Sequence, residues 1–70
     1  MEMIPVSSSN LAAMGYDYDT STLRIEFIKS GAYIYQGVPA HVYEGLLTAS
    51  SKGQYFDQVI KKGGYPYSRD

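Results

Sequence analysis

Apolar and polar residues alternate with a period of two across residues 23–38. The apolar members of this alternation are Leu23, Ile25, Phe27, Tyr33 and Tyr35. A period of two is typical of β-strands that bury one face, and the glycine between the two groups marks a turn. This segment is therefore predicted to form a β-hairpin around which the rest of the chain packs.

The length of the hairpin loop decides which residues share the buried face. A two-residue loop at Ser30-Gly31 would turn both tyrosines away from the other three apolar residues. A three-residue loop, Lys29-Ser30-Gly31, with the glycine in the left-handed conformation, instead pairs Phe27 with Tyr33 and keeps all five on one face. We favour the three-residue loop because register follows the buried pattern. The outer face then carries Arg24, Glu26, Ile28, Ile34 and Gln36.

A strand pattern also precedes the hairpin, in Leu11–Asp17. The turn-forming residues that follow predict a four-residue loop, Tyr18–Ser21. That loop would pair Tyr16 with Leu23, Met14 with Ile25 and Ala12 with Phe27. These pairs lie on the face already assigned to the core, which predicts a three-stranded antiparallel meander with strands Leu11–Asp17, Thr22–Ile28 and Ala32–Gln36. Met1–Val6 could add an N-terminal edge strand, since Pro5 restricts it to an edge.

Beyond Gly37 the hydrophobic period changes to about 3.6, which indicates helices. The first helix is predicted from Pro39 to about Ala49, because proline suits a first helical position. Its inward stripe is Val42, Leu46 and Ala49, flanked by Tyr43 and Leu47.

Ser51 and Gln54 have the spacing of a capping box and predict the start of a second helix. This helix would bury Tyr55 or Phe56 together with Val59 and Ile60, and end at Gly63-Gly64 beside Lys61 and Lys62. The tail, Tyr65–Asp70, is expected to be extended and to lie back on the body.

Length and composition narrow the class of protein. The chain has 70 residues, a net charge of −1, eight tyrosines and no cysteine. Residues 1–70 are enough for one small domain, without disulfides or thiolate metal sites. No apolar run approaches the ~20 residues of a membrane helix, and no signal-peptide pattern is present. We therefore expect a soluble cytoplasmic protein without a cofactor.

Few residues could support catalysis or metal binding. Asp17–Ser21 begins like a calcium loop, but Thr22 stands where glycine is needed and Ile28 where a bidentate glutamate is needed. His41 is the only histidine and is expected on the exposed side of the first helix, beside Glu44. Without cysteines, a second histidine or a glycine-rich phosphate loop, we predict no metal site and no enzymatic activity.

The tyrosines and the basic residues point to binding instead. Tyrosine rings stack on unpaired bases for about 1 to 3 kcal/mol each, while lysine and arginine contact phosphates. The alternative is that the rings are core residues, which the favoured register predicts for Tyr33 and Tyr35. Three other tyrosines, Tyr18, Tyr65 and Tyr67, are freer to stack. The candidate binding residues are Tyr18, Tyr33, Tyr35, Tyr65, Tyr67, Lys29, Lys52, Lys61, Lys62 and Arg69.

A protein partner is the second candidate. Ile28 and Ile34 on the outer sheet face, beside Ala13 and Gly15, would leave an apolar strip that another chain could cover. The alternative function is therefore a protein-interaction or self-association module that uses this face.

Several short motifs follow one another along the chain. They are Ser8-Ser9-Asn10-Leu11, Gly15-Tyr16-Asp17, Thr22-Leu23-Arg24-Ile25-Glu26-Phe27, Gly31-Ala32-Tyr33-Ile34-Tyr35, Val38-Pro39, Val42-Tyr43, Leu46, Ala49, Ser51-Lys52-Gly53, Tyr55-Phe56 and Tyr65-Pro66-Tyr67-Ser68-Arg69. This ordered set of motifs resembles the KTSC domain family. Nearly the whole chain is covered, and it looks like the free-standing bacterial form of the family, which takes its name from a C-terminal segment of some lysyl-tRNA synthetases. The resemblance implies that Tyr33 and Tyr35 form the central motif of the family, and that RNA or tRNA is a partner. It supplies no catalytic residue, and Tyr18, Ser21 and Ile34 depart from the expected pattern.

Taken together, the residues predict an α+β fold in which a three-stranded antiparallel meander is followed by two short helices packed on one face. The expected function is that of a small non-enzymatic binding module, associated with RNA or tRNA by resemblance.

Overall fold

Five antiparallel strands form one open sheet, and their order in space is their order along the chain. In the computed structural model, which describes residues 1–70, the strands are β1 (Ile4–Pro5), β2 (Leu11–Asp17), β3 (Thr22–Phe27), β4 (Gly31–Tyr35) and β5 (Tyr67–Arg69). Two helices connect β4 to β5. The predicted α+β class is confirmed, while the number of strands is five rather than three, since the N-terminal edge strand forms and the tail adds another.

The helices differ from the predicted ones in detail. Helix α1 spans Ala40–Thr48. Pro39 is its N-terminal cap and not, as predicted, its first helical residue. Helix α2 (Lys52–Tyr55) continues without a break into a π-helical segment, Phe56–Lys61. The predicted cap is present, because the hydroxyl oxygen of Ser51 accepts a hydrogen bond of 3.4 Å from the backbone N–H of Gln54.

The core lies between one face of the sheet and the two helices. Twelve apolar residues are buried there: Leu11, Met14, Tyr16, Leu23, Ile25, Tyr35, Val38, Val42, Tyr43, Leu46, Phe56 and Ile60. The ring of Tyr16 stacks on Tyr43 with 4.8 Å between ring centroids. Its hydroxyl donates a hydrogen bond to the carbonyl of Val38, so the polar end of this buried side chain has a partner.

The β3–β4 hairpin has the predicted parity but not the predicted register. Phe27 lies opposite Gly31, and Ile25 opposite Tyr33, so the connecting residues are 28–30 rather than 29–31. Gly31 keeps the expected left-handed conformation, with φ +86°, as the first residue of β4. A shift of two residues leaves each side chain on its face, which is why the hydrophobic pattern could not detect it. Both central tyrosines therefore face the helices, as predicted.

The β2–β3 pairing is correct at its loop end and wrong at its far end. Tyr16 pairs with Leu23 and Met14 with Ile25, joined by the predicted four-residue loop. A β-bulge then makes Leu11, not Ala12, the partner of Phe27. Leu11 enters the core and Ala12 is exposed, because burying the larger apolar side chain is more favourable.

The outer face of the sheet does not carry the apolar strip that the sequence suggested. Ile28 lies in the β3–β4 turn, whereas Ile34 lies in β4 between Arg24 and Ser68. The N-terminal residues also cross the face, since a Cβ added at Gly15 would lie 2.7 Å from the Sδ of Met3. The strip is therefore divided and partly covered by the chain itself. Self-association or a protein partner on this face stays a prediction.

Candidate functional site

A cleft lined mainly by aromatic side chains opens between β4, β5 and the second helix. It has a volume of about 460 Å³ and is lined by Phe27, Ser30, Tyr33, Tyr35, Phe56, Lys61 and Tyr67; we call it the aromatic cleft. Gly31, which lies opposite Phe27 in the sheet, contributes no side chain. The ring of Phe27 is therefore only half-buried and faces the cleft.

The rings of the aromatic cleft hold one another in place. Tyr35 stacks on Tyr67 with centroids 5.5 Å apart, and meets Phe56 edge-to-face at 5.5 Å. Phe27 makes edge-to-face contacts with Phe56 at 5.2 Å and with Tyr33 at 5.8 Å. Such contacts orient rings without hydrogen bonds. Tyr67 is nevertheless 66% exposed, so much of its ring is free for a ligand.

The aromatic cleft combines one phenol of raised pKa, that of Tyr35, with nearby cations. Burial, together with the neighbouring Tyr67 and Tyr33, raises the pKa of the Tyr35 hydroxyl above its ordinary value. The guanidinium of Arg69 lies over the ring of Tyr33, 5.9 Å from its centroid, in a cation–π arrangement. Lys61 lines the cleft and takes part in none of the ion pairs of the structure. An aromatic surface with cations at its border suits a planar ring that carries a negative group.

A second cleft continues from the first and is more polar. Its volume is about 450 Å³, and its polar lining consists of Ser9, Asn10, Lys29, Ser30, Asp57 and Lys61; we call it the polar cleft. Four residues line both clefts: Phe27, Ser30, Phe56 and Lys61. The two clefts are therefore parts of one continuous groove.

The groove brings together six of the ten residues predicted to bind. Tyr33, Tyr35, Tyr67 and Lys61 line the aromatic cleft, Arg69 lies on Tyr33, and Lys29 lines the polar cleft. Strand β5 positions Tyr67 and Arg69, which the sequence placed only in an extended tail. Phe27, Phe56 and the segment Ser9-Asn10 were missed as lining residues, because the sequence marked the two phenylalanines as core and the polar pair as loop.

The other four predicted residues lie elsewhere. The Tyr18 hydroxyl is 3.5 Å from a carboxylate oxygen of Glu44, and its ring contacts Tyr16 and Tyr43 edge-to-face. Tyr65 is half-buried against the core. Lys52 donates a hydrogen bond of 3.2 Å to the carbonyl of Ala49, and Lys62 lies 3.9 Å from the carboxylate of Asp57.

The structure also locates the residues considered for metal binding and catalysis. No three residues among His, Cys, Asp and Glu come together as ligands for a metal ion. His41 is exposed on α1, where the sequence placed it. Neither helix has the length and apolar character needed to cross a bilayer.

Comparison with known proteins identifies relatives over almost the full length of the chain. The model of the KTSC domain family matches residues 7–65. An uncharacterized protein of Stutzerimonas stutzeri is 39% identical over 99% of this chain and 97% of its own length. The crystal structure of a KTSC domain protein from Yersinia pestis superposes with a TM-score of 0.94 at 40% identity, covering 99% of this chain and 96% of that one.

A second group of relatives consists of longer proteins. A lysine–tRNA ligase of Nostoc punctiforme is 39% identical over 84% of this chain, but the match covers only 10% of the ligase. The ordered motifs, the fold and the family match agree with one another. The chain belongs to the KTSC domain family.

Proposed function

We propose that this chain is a small non-enzymatic RNA-binding module whose aromatic cleft takes up unpaired bases. The observation that carries the proposal is the aromatic cleft itself, where Tyr67 lies exposed over Tyr35, Lys61 is part of the same lining and Arg69 lies over the neighbouring Tyr33. Single-stranded nucleic acids are bound by such combinations of stacking rings and cations.

The relatives support the same class of ligand. Segments similar to this chain occur within lysine–tRNA ligases, where they make up about a tenth of the protein. A binding module of this size can serve both as part of such an enzyme and by itself. We therefore propose RNA, and tRNA in particular, as the partner.

The groove favours single strands over duplexes. In duplex RNA the bases are stacked and paired, so their faces cannot meet protein side chains. The cleft presents ring faces rather than a long cationic surface, and the whole chain carries a net charge of −1. Unpaired loops and ends are therefore the expected targets.

The test is a titration of labelled tRNA and of a single-stranded RNA at about 50 and about 200 mM salt, where phosphate contacts make affinity fall as salt rises. We expect Tyr67→Ala to weaken binding by about 1 to 3 kcal/mol, the contribution of one stacked base. The matched control is Tyr18→Ala, which removes a tyrosine of similar exposure outside the groove. Absence of binding at low salt, or equal loss in both variants, would contradict the proposal.

A further inference from the structure

The polar cleft extends the groove beyond the aromatic cleft, into space that a single stacked base would leave empty. Its polar lining comes from three parts of the chain: the segment before β2, the β3–β4 turn and the second helix. Amide, hydroxyl and ammonium groups are the donors that proteins use on phosphate and sugar oxygens. A ligand with one aromatic part and one polyanionic part would fill both clefts.

The charge of the polar cleft fits an anion. Lys29 and Lys61 line it and take part in no ion pair, whereas the only carboxylate in its lining, Asp57, already has Lys62 at 3.9 Å. Two unpaired cations therefore face one paired carboxylate. Asp57 can also accept a hydrogen bond from a ribose hydroxyl, which RNA offers and DNA lacks.

The junction of the two clefts sets the arrangement of the ligand. Ser30 and Lys61 line both clefts, so a phosphate placed beside them lies within reach of a base on Tyr67 and of a second nucleotide beyond. Lys29, in contrast, lines the polar cleft alone. A nucleoside confined to the aromatic cleft would therefore not contact Lys29.

We propose that the polar cleft is a binding subsite for the sugar–phosphate backbone, so that the smallest complete ligand is a single-stranded RNA of two or more nucleotides. Lys29 contacts the phosphate that follows the stacked base. This subsite rests on the proposed RNA-binding function and adds to it a minimal ligand length and a residue that senses it.

The experiment compares adenosine, a dinucleotide, a trinucleotide and a hexanucleotide as probes. Binding of Lys29→Gln is measured beside that of Lys52→Gln, a matched charge change outside both clefts. Lys29→Gln is expected to weaken hexanucleotide binding about three- to tenfold, and to reduce the salt slope by about 0.7, the value for one phosphate contact on a single strand. Adenosine binding should be unchanged in both variants. Lys29 is exposed in a turn, so the variant is expected to fold.

The outcomes separate the subsite from the proposed function. If the RNA probes bind and Tyr67→Ala weakens them, but Lys29→Gln behaves like Lys52→Gln, the subsite is wrong and the aromatic site stands. Equal affinity for adenosine and the hexanucleotide would also overturn the subsite. If no probe binds the unaltered protein at low salt, both proposals fail.

Discussion

Contact between the two helices depends on one residue without a side chain. A Cβ added at Gly45 in α1 would lie 2.2 Å from the hydroxyl oxygen of Tyr55, far inside any normal contact. That hydroxyl donates a hydrogen bond of 3.0 Å to the carbonyl of Val42, one turn earlier in α1. Gly45 therefore provides the space in which Tyr55 ties the second helix to the first.

Gly45→Ala should destabilise the protein, although alanine is the better helix former. Overpacking costs about 1 to 3 kcal/mol, while the change from glycine to alanine within a helix returns about 1 kcal/mol. We expect a net loss of about 1 kcal/mol, measured by urea denaturation.

The matched control is Gly53→Ala in α2. There the new Cβ would lie 3.4 Å from the side-chain amide nitrogen of Asn10, which is an ordinary contact. This variant should be neutral or slightly stabilising. If Gly45→Ala proved as stable as Gly53→Ala, the proposed packing of Tyr55 against α1 would be wrong.

At this scale the sequence could predict conformational demands but not contacts between distant residues. The left-handed conformation of Gly31 followed from its place between two strand patterns. The role of Gly45 did not, because it depends on Tyr55, ten residues away on another helix. The burial of Leu11 in place of Ala12 was missed for a related reason, since a bulge moves the pattern by one residue without any local sign.

At the scale of elements, strand β5 is the part that the sequence did not predict. Its three residues are all exposed, so they lack the alternation by which burial reveals a strand. Backbone pairing holds it instead, including the bond of 2.9 Å from the N–H of Asp70 to the carbonyl of Ala32. On the outer face the carboxylate of Asp70 accepts a hydrogen bond of 2.7 Å from the guanidinium of Arg24. The hydrogen bonds from Arg24 to Asp70 and to Glu26 raise the pKa of this guanidinium. Two of the six predicted binding residues in the groove, Tyr67 and Arg69, therefore rest on an element with no hydrophobic signal.

Asp70→Asn should loosen β5 with little effect on the whole fold. The ion pair is partly exposed, so its loss is expected to have little effect on the global free energy of unfolding. Local opening should increase, and we expect a lower protection factor, which corrects the hydrogen-exchange rate for the intrinsic rate of the residue, at the amide of residue 70. Exchange at the amide of Val38, which donates to the carbonyl of Ser21 outside β5, should not change.

Glu26→Gln provides the comparison for this prediction. It removes the other carboxylate partner of Arg24 but leaves the tail untouched. Equal protection factors at the amide of residue 70 in the two variants would show that the ion pair does not hold β5. A lower protection factor confined to Asp70→Asn would identify Arg24 as the residue that positions Tyr67 from the opposite face of the sheet.

Over the whole molecule, charge is divided between the two ends of the sheet. The β3–β4 turn, with Lys29, borders the groove. The β2–β3 loop lies at the opposite end of β3. Asp17 ends β2 there, Asp19 lies in the loop, and Glu44 is close to Tyr18. A net charge of −1 therefore conceals a cationic groove and an acidic end, which composition alone could not distinguish. The sequence placed five of the eight tyrosines in one candidate set, and only the fold separates Tyr18 and Tyr65 from the three that line the groove.

The whole molecule should also lose stability at alkaline pH, because the pKa values of two buried tyrosines, Tyr35 and Tyr43, are raised. Burial raises the pKa of Tyr35 and of Tyr43 above the ordinary value, which is about 10 in an unfolded chain. Above that pH the unfolded state releases these protons first, so it binds fewer protons than the folded state and becomes favoured.

The free energy of unfolding should be constant with respect to these groups below pH about 9, and should fall as pH rises from about 10 through the raised values. Denaturation at pH about 8 and about 11 measures the difference. Tyr35→Phe removes one of the two groups, so it should lose less stability between the two pH values than the unaltered protein. An equal loss in that variant would mean that the burial of Tyr35 at the base of the groove does not control its ionisation.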